Sequence, residues 1–137
     1  MPRVALREGL LSTIEPDAEP RLLAARCPRC ARLHFPATGD CPYCSSAGCE
    51  PTPVGPGATI DVFTVVERAP PGYRGAVPYG FGVVALPEGL LIVTRFLPAA
   101  IARLEAGQPA HLVLEDLYVD DAGATVVGFA FAPEAAA

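Results

Sequence analysis

The chain has 137 residues, with ten basic residues, all arginine, against fifteen acidic ones, for a formal charge of −5. That length suits one domain or a small module joined to a medium one, and the excess of acid argues against a partner whose phosphates must be neutralised by cations. With 51% apolar and 18% charged residues the chain is not disordered by composition, and so little charge predicts that a partner covers some apolar surface.

The first segment, "MPRVALREGLLSTIEPD", holds two short apolar runs, Val4 to Leu6 and Leu10 with Leu11, before Glu15, Pro16 and Asp17. It lacks the continuous apolar stretch of a signal peptide, and no run reaches the roughly 18 residues of a membrane-spanning helix. A cytoplasmic protein without membrane contact is expected. Residues 1 to 21 are expected to form a loosely structured arm, followed by a short strand near 22 to 26.

Residues 22 to 50 form a cysteine module built on "RCPRCARLHFPATGDCPYC". Two Cys-x-x-Cys pairs in a reducing compartment are thiolate ligands more readily than disulfides. Each pair supplies two corners of a tetrahedron, so Cys27, Cys30, Cys41 and Cys44 are the expected ligands of a structural Zn2+. Buried reduced thiols are the plainer alternative. His34 and Cys49 lack the paired spacing. Cys49 is taken as a bystander thiol, and His34 as a packing or capping residue beside Phe35 and Pro36. Four thiolates leave no open position for water, which makes the site structural rather than catalytic. Arg21, Arg26, Arg29 and Arg32 offset its formal charge near −2, and any cationic face left over would suit a phosphate-bearing ligand.

"EPTPVGPG" at 50 to 57 has the composition of a hinge. Beyond it Ile60 to Val66, Phe81 to Leu86 and Leu90 to Phe96 are strand-like, the last two joined by a turn at Pro87-Glu88-Gly89. One short helix is expected over Pro98 to Ala106, with Gly107 capping its end. Strands His111 to Leu117 and Thr125 to Phe131 then flank the Asp120-Asp121-Ala122-Gly123 turn. Five strands with a helix between the third and fourth give the element order of an OB-fold over 51 to 137; a meander sandwich fits the count less specifically. The predicted class is mainly β, an N-terminal rubredoxin-like zinc ribbon followed by a five-stranded barrel.

No histidine-nucleophile pair, P-loop or Gly-x-Gly-x-x-Gly motif is present, and Asp116, Asp120 and Asp121 are most simply a solvated loop, so no catalytic residue is assigned. The loop "APPGYRGAVPY" offers Tyr73, Arg74 and Tyr79, and OB-folds bind ligands through such loops. An ordinary connection with a tyrosine folded over the barrel is the alternative.

With these residues in hand, the chain resembles the acyl-CoA-associated family that joins a rubredoxin-like zinc ribbon to an OB-fold, long catalogued as a domain of unknown function. The likeness runs from about Leu22 to Phe131. It rests on the cysteine stretch, with Phe35-Pro36 after the first pair, and on "GPGATIDVFTVVERAPPGY", "VPYGFGVVALPEGLLIVTRF" and "GQPAHLVLED" in that order. The family usually has glycine directly after each cysteine pair, where this chain has Ala31 and Ser45, and the N-terminal helix of many members is not evident. The resemblance implies a non-catalytic accessory subunit of a thiolase-fold enzyme: a thiolase, a hydroxymethylglutaryl-CoA synthase-like enzyme or a steroid side-chain aldolase. It implies two copies of each protein, with an acyl-CoA at the shared interface and Arg32, Phe35, Tyr73, Arg74 and Tyr79 as candidate ligand contacts.

Two other readings compete. A single-stranded nucleic-acid binder needs stacking aromatics interleaved with cations, yet residues 51 to 137 hold four arginines against nine acids, net −5 (4 − 9). A rubredoxin-like electron carrier would use the same four thiolates for iron, but no flavin or nicotinamide signature accompanies them.

Overall fold

The structure, a computed structural model, describes residues 2–134. Three strands make the ribbon sheet: β2 (Leu22–Arg26), β3 (Leu33–His34) and β4 (Glu50–Val54), in the order β3-β2-β4. β4 lies where the sequence suggested a hinge. Pro51 and Pro53 sit opposite Ala25 and Leu23, and at i and i+2 both turn their missing N–H toward the open edge, the one side of a sheet where proline costs no ladder bond.

The barrel comprises β5 (Gly57–Val66), β6 (Tyr79–Ala85), β7 (Leu91–Phe96), β8 (Pro109–Val119) and β9 (Thr125–Pro133). Antiparallel pairs β5–β6, β6–β7, β5–β8 and β8–β9 close through a parallel contact of β7 with β9 at Phe96 and Phe131. This is the expected five-stranded OB-fold. Ile60, Val84, Ile92, Phe96 and Phe131 are almost wholly buried, and one core cluster joins them to Leu22, Ala24, Leu33 and Val54 of the ribbon. Each such Leu, Ile, Val or Phe removed from water contributes about 1.5–3 kcal/mol, so ribbon and barrel share their main source of stability.

The connection between β7 and β8 is the expected short helix, a 3-10 helix over Pro98–Arg103 that stops before the predicted end at Ala106. Pro98 opens it as expected, but no side chain caps Leu97. Gly107, with φ 89°, does not cap this helix; its N–H donates to Ile60 O at 2.7 Å and ties the connection to β5.

The arm is ordered, contrary to the sequence reading. Its β1 (Arg3–Ala5) runs parallel to β9 from Thr125 to Val127, and Leu6 N–H continues the ladder to Val127 O at 2.8 Å. Leu11 bridges Leu22, and Leu23 N–H donates to Leu10 O at 2.8 Å. Arg3 donates to Ile14 O and pairs with Asp116 at 3.0 Å. A three-residue strand carries no periodic signal of its own, and its partner lies at the other end of the chain. No helix among the described residues is long and apolar enough to cross a membrane.

Candidate functional site

Two matching turns deliver the four cysteines. Cys27 follows β2, and Ala31 N–H donates back to Cys27 O at 3.0 Å, as Ser45 N–H does to Cys41 O at 2.9 Å. Each turn then reverses through a residue at φ 65°, Ala31 in the first and Ser45 in the second. These are the two positions where glycine would be favoured, because the left-handed region costs a Cβ-bearing residue about 1–2 kcal/mol. The turns aim backbone donors at the sulfurs: Arg29 and Cys30 N–H lie 3.3 and 3.4 Å from Cys27 Sγ, and Tyr43 N–H lies 3.4 Å from Cys41 Sγ.

All four sulfurs lie within 4.8 Å of one another, with Cys27 to Cys44 at 3.5 Å and Cys30 to Cys41 at 3.6 Å. A tetrahedron with zinc–sulfur bonds of about 2.3 Å has edges of about 3.8 Å, so the donor set and spacing fit one tetrathiolate-bound metal. The thiols are not equivalent. The Cys30 and Arg29 amides lower Cys27, against the effect of its burial. Hydrogen bonds from the Ser46 hydroxyl and amide draw Cys44 down to about 6. The Arg32 amide favours the Cys30 thiolate, but burial and the neighbouring thiols outweigh it and push that thiol up to about 11. Metal binding must therefore displace a proton from Cys30.

His34 is buried and joined through Nε2 to Thr38, 2.9 Å from its Oγ1. The other candidate residues fall into separate groups. Arg32 lies over the Tyr43 ring at 5.0 Å beside a groove of about 530 Å³, bounded by the ribbon and the β6–β7 turn. Phe35 packs edge-on against Phe129 at 6.0 Å and helps join ribbon to barrel. Tyr73 and Tyr79 lie tilted against each other with ring centroids 5.1 Å apart, and Arg74 lies 4.6 Å over Tyr118.

Arg95 organises the tyrosine group and was not foreseen. Its guanidinium sits 4.1 Å over Tyr79 and 5.3 Å over Tyr73, and it forms a two-pronged pair with Glu115 at 2.8 and 3.1 Å. Burial would lower its pKa, but Glu115 raises it. The sequence also gave no sign of an apolar cavity of about 160 Å³ between the arm and the barrel, where Leu6, Leu10 and Leu11 face Phe81, Leu117 and Phe129. Beside it the barrel's outer face carries exposed Val62, Phe81, Leu91 and Val93. Val62 and Val93 both face Val83 across the ladder, so they form one stripe over β5, β6 and β7.

Residues 15–50 match the ChsH2 rubredoxin-like zinc ribbon domain, and residues 51–115 match the ChsH2 C-terminal OB-fold domain. The chain belongs to the ChsH2-type zinc-ribbon and OB-fold family. Among curated relatives, a "DUF35 domain-containing scaffold protein" of Pyrococcus furiosus is 25% identical over 82% of this chain and 83% of its own length. Its namesake in Methanocaldococcus jannaschii is 25% identical over 82% and 81%. A "Probable enoyl-CoA hydratase alpha subunit" of Thermomonospora curvata is 31% identical over 81% of this chain, which spans only 34% of that protein. Among solved structures, a chain of the "Ltp2-ChsH2(DUF35) aldolase" matches at TM-score 0.60 and 26% identity, over 80% of this chain and 84% of that one.

Proposed function

We propose that this ChsH2-type chain is a non-catalytic accessory subunit that binds a thiolase-fold enzyme, two copies of each, and helps wall its acyl-CoA site. The observation that carries this reading is the agreement, across both ribbon and barrel, with a chain of an aldolase named for two components. The relatives named as scaffold proteins point the same way, and the one named as a hydratase subunit supports a CoA ester as the substrate class. Physical features of the chain agree. A tetrathiolate site has no open position for substrate, and the stripe of Val62, Phe81, Leu91 and Val93 is the sort of exposed apolar surface that marks contact with another protein. The Arg32 and Tyr43 groove offers a cation and an aromatic ring to a phosphate-bearing nucleotide.

The test is co-expression with the product of the gene next to this one, followed by mass and metal analysis of the purified material. A stable complex with equal copies of both proteins and one zinc for each copy of this chain is expected. Val93→Asp should release the partner while keeping the metal. Recovery of the two wild-type proteins as separate, folded, metal-loaded species would overturn the reading.

A further inference from the structure

Behind the tetrathiolate lies a second group of donors. His34, Cys41 and Cys49 each place one ligand atom within 4.8 Å of the others. His34 is only 4% exposed, and its Nδ1 is the buried side-chain polar atom among the described residues that has no hydrogen-bond partner. Leaving such an atom unsatisfied costs about 1–3 kcal/mol.

The hydrogen bonds between Thr38 and the ring all fall on the other nitrogen, Nε2. The Thr38 hydroxyl spends its proton on Asp40 O at 2.7 Å. Its oxygen, 2.9 Å from His34 Nε2, and the Thr38 carbonyl oxygen at 3.3 Å are both placed to accept from an Nε2–H. The Thr38 amide points its N–H at the same nitrogen at 3.2 Å, a bond that only the other tautomer can accept, so binding of a cation at Nδ1 would give up this bond for the two to oxygen. In the tautomer protonated at Nε2, Nδ1 is left with a bare lone pair, buried and without a partner. A metal-binding imidazole has this arrangement, one nitrogen held by an outer acceptor and the other free to ligate. Cys49 is held in place by its own N–H, which donates to Gly39 O at 3.0 Å.

We propose that His34, Cys41 and Cys49 form a second site for a thiophilic divalent cation, adjoining the tetrathiolate and sharing Cys41 as a bridging ligand. Two sulfurs and an imidazole select zinc or cadmium over magnesium or calcium. Binding there converts the Cys49 thiol to a thiolate and releases its proton. The added ion carries two positive charges and the new thiolate one negative, so the buried charge near −2 at the first site falls toward −1.

The test is titration of the metal-free full-length chain with Cd2+ alone, followed by thiolate-to-cadmium absorption and cadmium NMR. The expected result is two equivalents per chain and two resonances, one of a tetrathiolate and one of a site containing nitrogen. His34→Gln and Cys49→Ser should each keep the tetrathiolate resonance, which shows that the ribbon still folds. Each should weaken the second equivalent by roughly tenfold or more, the least that even outer-shell partners contribute. A wild-type chain that saturates at one equivalent overturns the proposal, and so does a second equivalent that both variants retain.

Discussion

Replacing Ala31 and Ser45 together by glycine should stabilise the metal-loaded protein. Both residues hold φ at 65°, and that region costs a residue with a Cβ about 1–2 kcal/mol. Glycine removes the cost but adds freedom to the unfolded chain, a penalty of about 0.5–1 kcal/mol. The net gain is about 0.5–1 kcal/mol at each site. Neither side chain carries a hydrogen bond that the change would remove: the Ala31 contact with Arg26 uses its carbonyl oxygen, and the hydroxyl beside Cys44 belongs to Ser46. The two turns are separate, so the gains should add to about 1–2 kcal/mol, a rise of several degrees in melting temperature for a chain of this size. The assay is thermal unfolding of zinc-loaded wild type, both single variants and the double variant, monitored by circular dichroism. A double variant that melts at or below the wild-type temperature would refute the account of the turns.

Loss of any one of Cys27, Cys30, Cys41 or Cys44 to serine should abolish stoichiometric zinc and unfold the ribbon, because metal binding is part of its folding energy; atomic absorption with proteolysis checks this, and a metal-free yet protease-resistant ribbon would contradict it. Zinc affinity should rise with pH through the neutral range, since Cys30, raised to about 11, must lose its proton on binding. Cys44, lowered to about 6, adds to the proton release only below that pH; calorimetry in buffers of different ionisation heat counts the protons, and none released near neutrality would refute the assignment. Glu115→Ala should cost about 3 kcal/mol or more by leaving Arg95 buried and unpaired, read as a shift in the urea midpoint. Gly82→Ala should cost about 1–3 kcal/mol, because the new methyl group meets Val62 O and lies 2.7 Å from Phe63 Cα, where β5 bulges; an unchanged midpoint would show that β5 and β6 separate freely.

The metal turns and the barrel were legible because their signals are local. The two Cys-x-x-Cys pairs announce themselves by spacing, and β5 through β9 are runs of β-branched and aromatic residues between glycine and proline turns. Even the left-handed backbone at Ala31 and Ser45 was foreshadowed, since both stand where relatives of this type carry glycine. Elements defined by distant partners were not legible. β1 acquires its strand character only by lying against β9, and β4 is a strand despite Pro51 and Pro53 because it occupies a sheet edge. Arg95 and Glu115 stand twenty residues apart in the chain, and nothing in either neighbourhood announces the pair. The environment of His34 was hidden for the same reason: the donors around it come from both sides of the second cysteine pair.

The pairing of β1 with β9 also has a consequence for synthesis. Arg3 lies beside Thr125, about 120 residues later, and β9 is at once the partner of β1, β7 and β8. On the ribosome all four metal ligands are available once Cys44 has emerged, before β4 completes the ribbon sheet. The barrel stays open, with the arm unattached, until β9 arrives. Assembly thus has two clocks, an early one set by metal supply and a late one set by the final strand. A truncation before Thr125 should therefore leave both the barrel and the core that the ribbon shares with it unfinished.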